Sequence, residues 1–168
     1  MTRIGVVSDT HLPHFGRALP RALERGLREH GVDRIVHCGD HTDPLTIDLF
    51  RAIAPFDAVA GNNDGRDVRA HFGELLRLDV EGVRIGVVHG HQGRRAAKEN
   101  ALAAFGEDEI DVLLFGHSHR PEVGKAGRRL YANPGSPTDK RFNPLYSYAL
   151  LTIDGGEAHA ELKFFPTR

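Results

Sequence analysis

Five apolar runs, each ending in Gly, His, Asp or Asn, constrain this chain more than any other feature: IGVVSDTH at 4–11, RIVHCGD at 34–40, DAVAGNND at 57–64, IGVVHGH at 85–91 and DVLLFGHSH at 111–119. Near-continuous apolar runs of this length read as strands buried on both faces. Ligands of open α/β sheets gather outside the carboxyl ends of such strands. Five polar endings therefore put the chemistry of the chain at one sheet edge.

Between the runs, the residues alternate strand with helix. ALPRALERGLREH at 18–30 sets Leu19, Ala22, Leu23 and Leu27 on one helical face, with Gly31 following as a cap. DPLTIDLFRAI at 43–53 repeats the pattern after an Asp-Pro start. From residue 75 the pattern changes. LLRLDV and VRIGVVHG flank Glu81-Gly82 as an antiparallel hairpin, and one more helix is expected at 94–105. After residue 120 come a Gly-centred hairpin in PEVGKAGRRLYAN and a strand pair around Asp154-Gly155-Gly156. Early βαβ units and a late β-rich half predict an α/β fold: two sheets packed face to face with helices outside.

The chain of 168 residues shows no repeat or Pro/Gly/Ser-rich linker and is expected to form one domain, 1–168. Its net charge of −1 and pI near 6.8 provide no basic field for nucleic acid or an anionic membrane, so an anionic substrate must be attracted locally. Cys38 lies inside an expected strand and reads as a small hydrophobe; a lone cysteine excludes a disulfide framework and suits a reducing compartment. No run approaches the roughly eighteen apolar residues of a membrane span. The chain runs directly into its first strand, and the expectation is a cytoplasmic protein.

Seven residues at these strand ends are candidate metal ligands: Asp9, His11, Asp40, Asn62, His89, His117 and His119. If the segments stay extended, positions i and i+2 share a face, so Asp9 with His11, and His117 with His119, can each grip an ion. Asp40 follows Gly39, which permits close backbone approach. Bland alternatives stand beside this: Asp9, Asp40 and Asn62 as turn or cap residues, and His89 or the neighbouring His91 as satisfied core histidines. Agreement among five strand ends favours metal. Seven ligands suffice for two ions if one carboxylate bridges them. An oxygen and imidazole set without thiolate admits manganese, iron, cobalt, nickel or zinc and disfavours magnesium alone.

The ordered set D9-x-H11, G39-D40, G61-N62-x-D64, H89-G-H91 and G116-H117-x-H119 resembles the signature of the calcineurin-like metallophosphoesterase superfamily, over residues 4 to about 136. The NPGS at 133–136 is similar to its small bacterial and archaeal phosphodiesterase branch, and the chain also resembles the retromer scaffold subunit of this fold. The resemblance implies a four-layer αββα sandwich and a dinuclear centre, manganese being the first choice. One metal would take Asp9, His11, Asp40 and His119, the other Asp40, Asn62, His89 and His117, with Asp40 bridging. The sequence departs from many relatives at Asn63, where they carry a His thought to assist the leaving group. Asp64 resembles the residue that orients that loop, and by itself reads equally as a turn Asp.

Two divalent ions bring four positive charges and Asp9 with Asp40 only two negative ones, a surplus complementary to a phosphoryl group. The expected reaction is hydrolysis of a phosphodiester P–O bond by in-line attack of a hydroxide bridging the ions. Asp40, Asn62, Asp64 and His89 are expected to carry catalysis; Asn62, Asn63 and Arg141 are expected to meet a small phosphate-ester substrate. Arg141 with Lys140 more often reads as a solvated loop face, and His14, His41 and His91 have no settled role. The alternatives are a phosphomonoesterase or nucleotide phosphohydrolase on the same centre and a non-enzymatic scaffold. A homo-oligomer is compatible with the sequence.

Overall fold

The computed structural model describes all 168 residues. The elements in chain order are β1 (Thr2–Val7), α1 (Arg21–Glu29), β2 (Arg34–His37), α2 (Leu45–Arg51), β3 (Phe56–Ala58), α3 (Arg66–Phe72), β4 (Leu75–Val80), β5 (Val83–Val88), α4 (Ala97–Phe105), β6 (Val112–Leu114), β7 (Glu122–Ala126), β8 (Arg129–Asn133), β9 (Tyr146–Asp154) and β10 (Glu157–Phe165). They form two mixed five-stranded sheets, β10-β9-β1-β2-β3 and β4-β5-β6-β8-β7. Strands β1, β2 and β3 are parallel, as are β5, β6 and β8, while β9, β10, β4 and β7 run antiparallel to their neighbours.

Alternation along the strands builds the layers. Ile4, Val6 and Val36 of the first sheet meet Ile85, Val87, Val112 and Leu114 of the second in the central core. Val7 and Ile35 point the opposite way, onto Leu23 and Leu27 of α1 and Ile47 and Phe50 of α2. Val88 and Leu113 turn outward onto Ala97, Ala101 and Phe105 of α4. The result is the expected αββα sandwich. The hairpins form where expected: Val80 pairs with Val83 across Glu81-Gly82, and Asp154 with Glu157 across Gly155-Gly156. Positive φ at all four turn residues gives the loop twist that matches the strands. No helix is long and apolar enough to cross a membrane.

All three expected helices are shorter than their sequence spans, α2 covering Leu45–Arg51 of the expected 43–53. Helix α1 begins after Pro20, not at 18, and α4 begins at Ala97, not at 94. Gly31 takes its expected place just past the end of α1, at φ 57°. Helix α3 is unanticipated: RDVRAHF has only Val68 and Phe72 as apolar anchors, too few for a helical stripe. Cys38 belongs to the central core, and burial pushes its thiol pKa well up, in keeping with a packing role.

The parallel strands of both sheets all run toward one edge, where β1 ends before Ser8-Asp9, β2 before Cys38-Gly39-Asp40, β5 before His89 and β6 before Phe115-Gly116-His117. His37 closes β2 in full burial and joins two of these endings. Its Nδ1 accepts the Gly39 N–H at 3.1 Å, so its Nε2 carries the proton and faces Thr10 Oγ1 at 3.1 Å; its ring stacks on His41 at 3.9 Å. Burial holds the His37 pKa well below the ordinary imidazole range. Because the folded value lies below the unfolded one, the neutral ring stabilises the fold fully above pH 6.5. That contribution declines as pH falls below 6.5, by up to about 1.4 kcal/mol per pH unit. Urea denaturation at pH 7.5 and 5.5 is expected to show wild type losing roughly 1–1.4 kcal/mol more than His37→Gln; equal losses would contradict the buried neutral assignment.

Candidate metal centre

Each candidate ligand leaves its strand by a sharp turn. Asp9 (φ 55°), His11 (45°), Asp40 (59°), His117 (68°) and His119 (57°) all lie in the left-handed region. The expected extended geometry of Asp-x-His and His-x-His is therefore corrected: alternate side chains converge because the backbone turns at each, not because a strand continues. Asp and His are among the residues that tolerate this region. Non-glycine residues held there cluster at functional sites.

The turns are cross-braced. Asp9 N–H donates to Gly39 O and His11 N–H to Asp40 O, both at 3.0 Å, so the two loops stay aligned beyond β1 and β2. Ser136 Oγ donates to Asp9 O at 2.8 Å, and Thr138 Oγ1 to Thr10 O at 2.8 Å. Asp64 accepts three backbone amides, from Asp40 (2.8 Å), Gly61 (2.7 Å) and Thr42 (2.6 Å). Arg69, on the unanticipated α3, donates to the carbonyls of Gly61, Asn62 and Asp64 and holds the loop from the other side. Asp139, Ser136, Thr138 and Arg69 had no assigned role in the sequence reading; only NPGS hinted at the first loop brace.

Inside this frame, Asp9 and Asp40 are buried, at 0% and 1% exposure. Asp9 Oδ2 accepts Ser8 Oγ at 2.7 Å and the His117 N–H at 3.0 Å. Its Oδ1 is buried without a hydrogen-bond partner, 3.4 Å from His119 Nε2, 3.7 Å from His89 Nε2 and 3.8 Å from His11 Nε2. Asp40 Oδ2 lies 3.4 Å from His89 Nε2 and 3.7 Å from His11 Nε2. Asn62 Oδ1 is 3.1 Å from His89 Nε2. Two compact groups result, Asp9-His11-His119 and Asp9-Asp40-His89, with Asp9 common to both and Asp40 reaching a histidine of each. His117 stands outside these two groups, its ring 5.1 Å from that of His89.

Several observations fit a divalent cation here. His89 Nδ1–H donates to Cys38 O and His119 Nδ1–H to Asp139 O, both at 2.7 Å. An outer N–H fixed by a backbone carbonyl is the usual state of a metal-binding imidazole and turns Nε2 inward. Burial lowers the His89 pKa, but the charges of Asp9 and Asp40 outweigh it and push the value up to about 9. Burial would raise that of Asp40, and its bonds to His89 and Asn63 instead hold it well below the usual carboxylate range. Both shifts describe a pocket that demands positive charge.

Space is reserved as well. A Cβ on Gly61 would sit 2.1 Å from Asp40 Oδ1, and one on Gly116 would sit 1.9 Å from Ser8 Oγ and 2.8 Å from Asp9 Oδ2. Asn63 donates its backbone N–H to Asp40 Oδ1 (2.9 Å) and its side-chain amide to Asp40 Oδ2 (2.7 Å), so the donor expected to meet substrate is engaged with a carboxylate. Of the unassigned histidines, His41 is a core residue with Nε2–H on Val59 O at 2.8 Å, and His91 lies 3.7 Å from Glu74.

With this geometry established, comparison with known proteins places the chain. Residues 2–156 match the calcineurin-like phosphoesterase superfamily domain, and the chain belongs to that superfamily, whose members use divalent metal ions. A probable metallophosphoesterase of Methanothermobacter thermautotrophicus is 34% identical over 95% of this chain and 90% of its own. A phosphodiesterase of Methanocaldococcus jannaschii is 26% identical over 79% and 82%. Among solved structures, Vps29 of Entamoeba histolytica complexed with zinc superposes with a TM-score of 0.78 at 24% identity, covering 97% of this chain and 99% of that one, and thus shares the fold.

The reserved space yields a direct test. Gly61→Ala is expected to displace the Asp40 carboxylate and weaken manganese binding at least about tenfold, the scale of outer-shell changes. Gly65→Ala, which meets open space, is expected to bind as wild type. Titration calorimetry separates them, and equal affinities would contradict the packing argument.

Proposed function

We propose that the chain, acting as one domain over residues 1–168, is a dinuclear metal-dependent phosphodiesterase of small phosphate esters, with manganese as the first metal to test. The observation that carries this reading is Asp9 Oδ1: a buried carboxylate oxygen with no hydrogen-bond partner, ringed by three imidazole Nε2 atoms. A buried anionic oxygen left without a partner is costly, and a cation shared among these groups removes the cost. The M. jannaschii relative named as a phosphodiesterase supports the substrate class.

In this reading Asp9, His11 and His119 hold one ion and Asp40, Asn62, His89 and His117 the other, with Asp40 reaching both. A bound pair of divalent ions supplies a water of lowered pKa and neutralises developing charge on phosphoryl oxygens. The protein's own part is orientation. Asp64 fixes the Asp40 backbone and Asn63 its carboxylate, the Cys38 and Asp139 carbonyls fix the rings of His89 and His119, and Arg141 contacts substrate from the neighbouring loop. Asn63 has no titratable proton at neutral pH to give a departing oxygen. The reading therefore favours esters whose leaving group is already a stable anion.

Asp40→Asn removes charge from the shared position and is expected to cut hydrolysis of bis(p-nitrophenyl) phosphate by about three orders of magnitude or more, with loss of metal and retention of fold. Activity close to wild type, with two metals per chain, would contradict the dinuclear reading. Faster turnover of p-nitrophenyl phosphate than of the diester would instead identify a phosphomonoesterase.

A further inference from the structure

A groove of about 440 Å³, within the range of small-molecule sites, opens beside the centre and is lined by His11, His14, Phe15, Thr42, Asn63, Asp139 and Arg141. His11 and Asn63 are its connection to the metal cluster: His11 is a candidate ligand, and Asn63 is bonded to Asp40. One wall is aromatic. The His14 and Phe15 rings meet edge to face at 4.7 Å, with His14 exposed and Phe15 half-buried under the Arg168 guanidinium, 5.5 Å from its ring centre. The lining also includes the guanidinium of Arg141.

Arg141 is not a casual surface cation. Its backbone is left-handed, at φ 48°, a conformation that arginine rarely adopts. The loop around it is tied to a candidate ligand from both sides: His119 Nδ1–H donates to Asp139 O at 2.7 Å, and Asn143 Nδ2 donates to His119 O at 2.8 Å. The Arg141 side chain is half exposed, and its ion partner is Asp139, with Nε to Oδ2 at a loose 3.8 Å. Lys140, by contrast, is engaged: its Nζ donates to Pro144 O at 3.1 Å and lies over the Tyr146 ring. Phe142, next along the loop, is fully exposed.

The position of Arg141 decides what it can bind. Asp139 Oδ2 is 3.5 Å from the outer nitrogen of His119, and Arg141 lies beyond Asp139. The guanidinium is thus separated by one carboxylate from the outer nitrogen of His119, outside the set of candidate ligands. A planar fork of donors suits a phosphate, and the exposed His14 ring beside Phe15 suits a heteroaromatic ring.

Resting on the phosphodiesterase reading, we propose that the groove binds one ester arm of the substrate, and that this arm is a nucleoside carrying a second phosphate: the base lies against His14 and Phe15, and the second phosphate is held by Arg141. The substrate class is then a phosphodiester of nucleotide type with an additional terminal phosphate, and Arg141 is its specificity determinant.

The test compares two diesters with the same leaving group, bis(p-nitrophenyl) phosphate and the 5′-p-nitrophenyl ester of a nucleoside 3′,5′-bisphosphate, on manganese-loaded protein. Wild type is expected to show a KM at least tenfold lower for the bisphosphate ester. Arg141→Asn, which removes the guanidinium but tolerates the left-handed backbone, is expected to reduce that preference at least tenfold, through KM more than kcat. Phe15→Ala is expected to reduce it less. No preference in wild type, or an equal shift in KM for both esters in Arg141→Asn, overturns the assignment. Calorimetric binding of the nucleoside 3′,5′-bisphosphate itself separates the two levels. Binding that depends on Arg141 in a protein that hydrolyses neither ester keeps the groove and removes the phosphodiesterase reading. Hydrolysis without such binding removes the groove alone.

Discussion

Two carboxylates, Asp9 and Asp40, lie buried where the ends of both sheets meet, and the surrounding structure is arranged to tolerate them. Burying a carboxylate without compensation is costly. Asp9 Oδ2 and both oxygens of Asp40 are compensated by Ser8, His117 and Asn63, while Asp9 Oδ1 is left to the imidazoles around it. Holding five ligand-bearing residues left-handed costs of order 1–3 kcal/mol each. The frame can sustain this because the loops are bound to rigid strands through Asp64, Arg69, Ser136 and Thr138.

The same arrangement explains what was legible in the sequence. The strands that lead into the site were readable because they are largely buried on both faces, and their polar endings were readable because only function or capping puts Asp, Asn and His there. The hairpins announced themselves through Glu81-Gly82 and Gly155-Gly156. The way the ligands converge was not readable from spacing. Asp-x-His in a strand and Asp-x-His with two left-handed turns look identical in sequence, and the choice is made by tertiary bonds such as Asp9 to Gly39 and His11 to Asp40. Helix α3 was missed because Val68 and Phe72 are too few for a periodic signal, and Arg69 was missed with it.

Asn63 shows how local sequence understates a site. The expectation treated it as a residue facing substrate; in the fold its amide and backbone both serve Asp40. Asp64, ambiguous between turn and function, gathers three backbone amides at the base of the same loop. Superfamily membership and local geometry agree here: the divalent ions used by the family answer the charge demand of Asp9 and Asp40. The specificity proposed for the groove lies elsewhere, in the loop from Asp139 to Asn143 and the rings of His14 and Phe15, which belong to no ligand motif.

The central claim is that one set of buried carboxylates and imidazoles holds two ions close enough to act together. Electron paramagnetic resonance of the protein loaded with manganese tests it most directly. The account predicts two manganese ions per chain and the broadened, exchange-coupled spectrum of ions that share a ligand. A resolved hyperfine pattern of an isolated ion at full loading, with one manganese per chain, would contradict it.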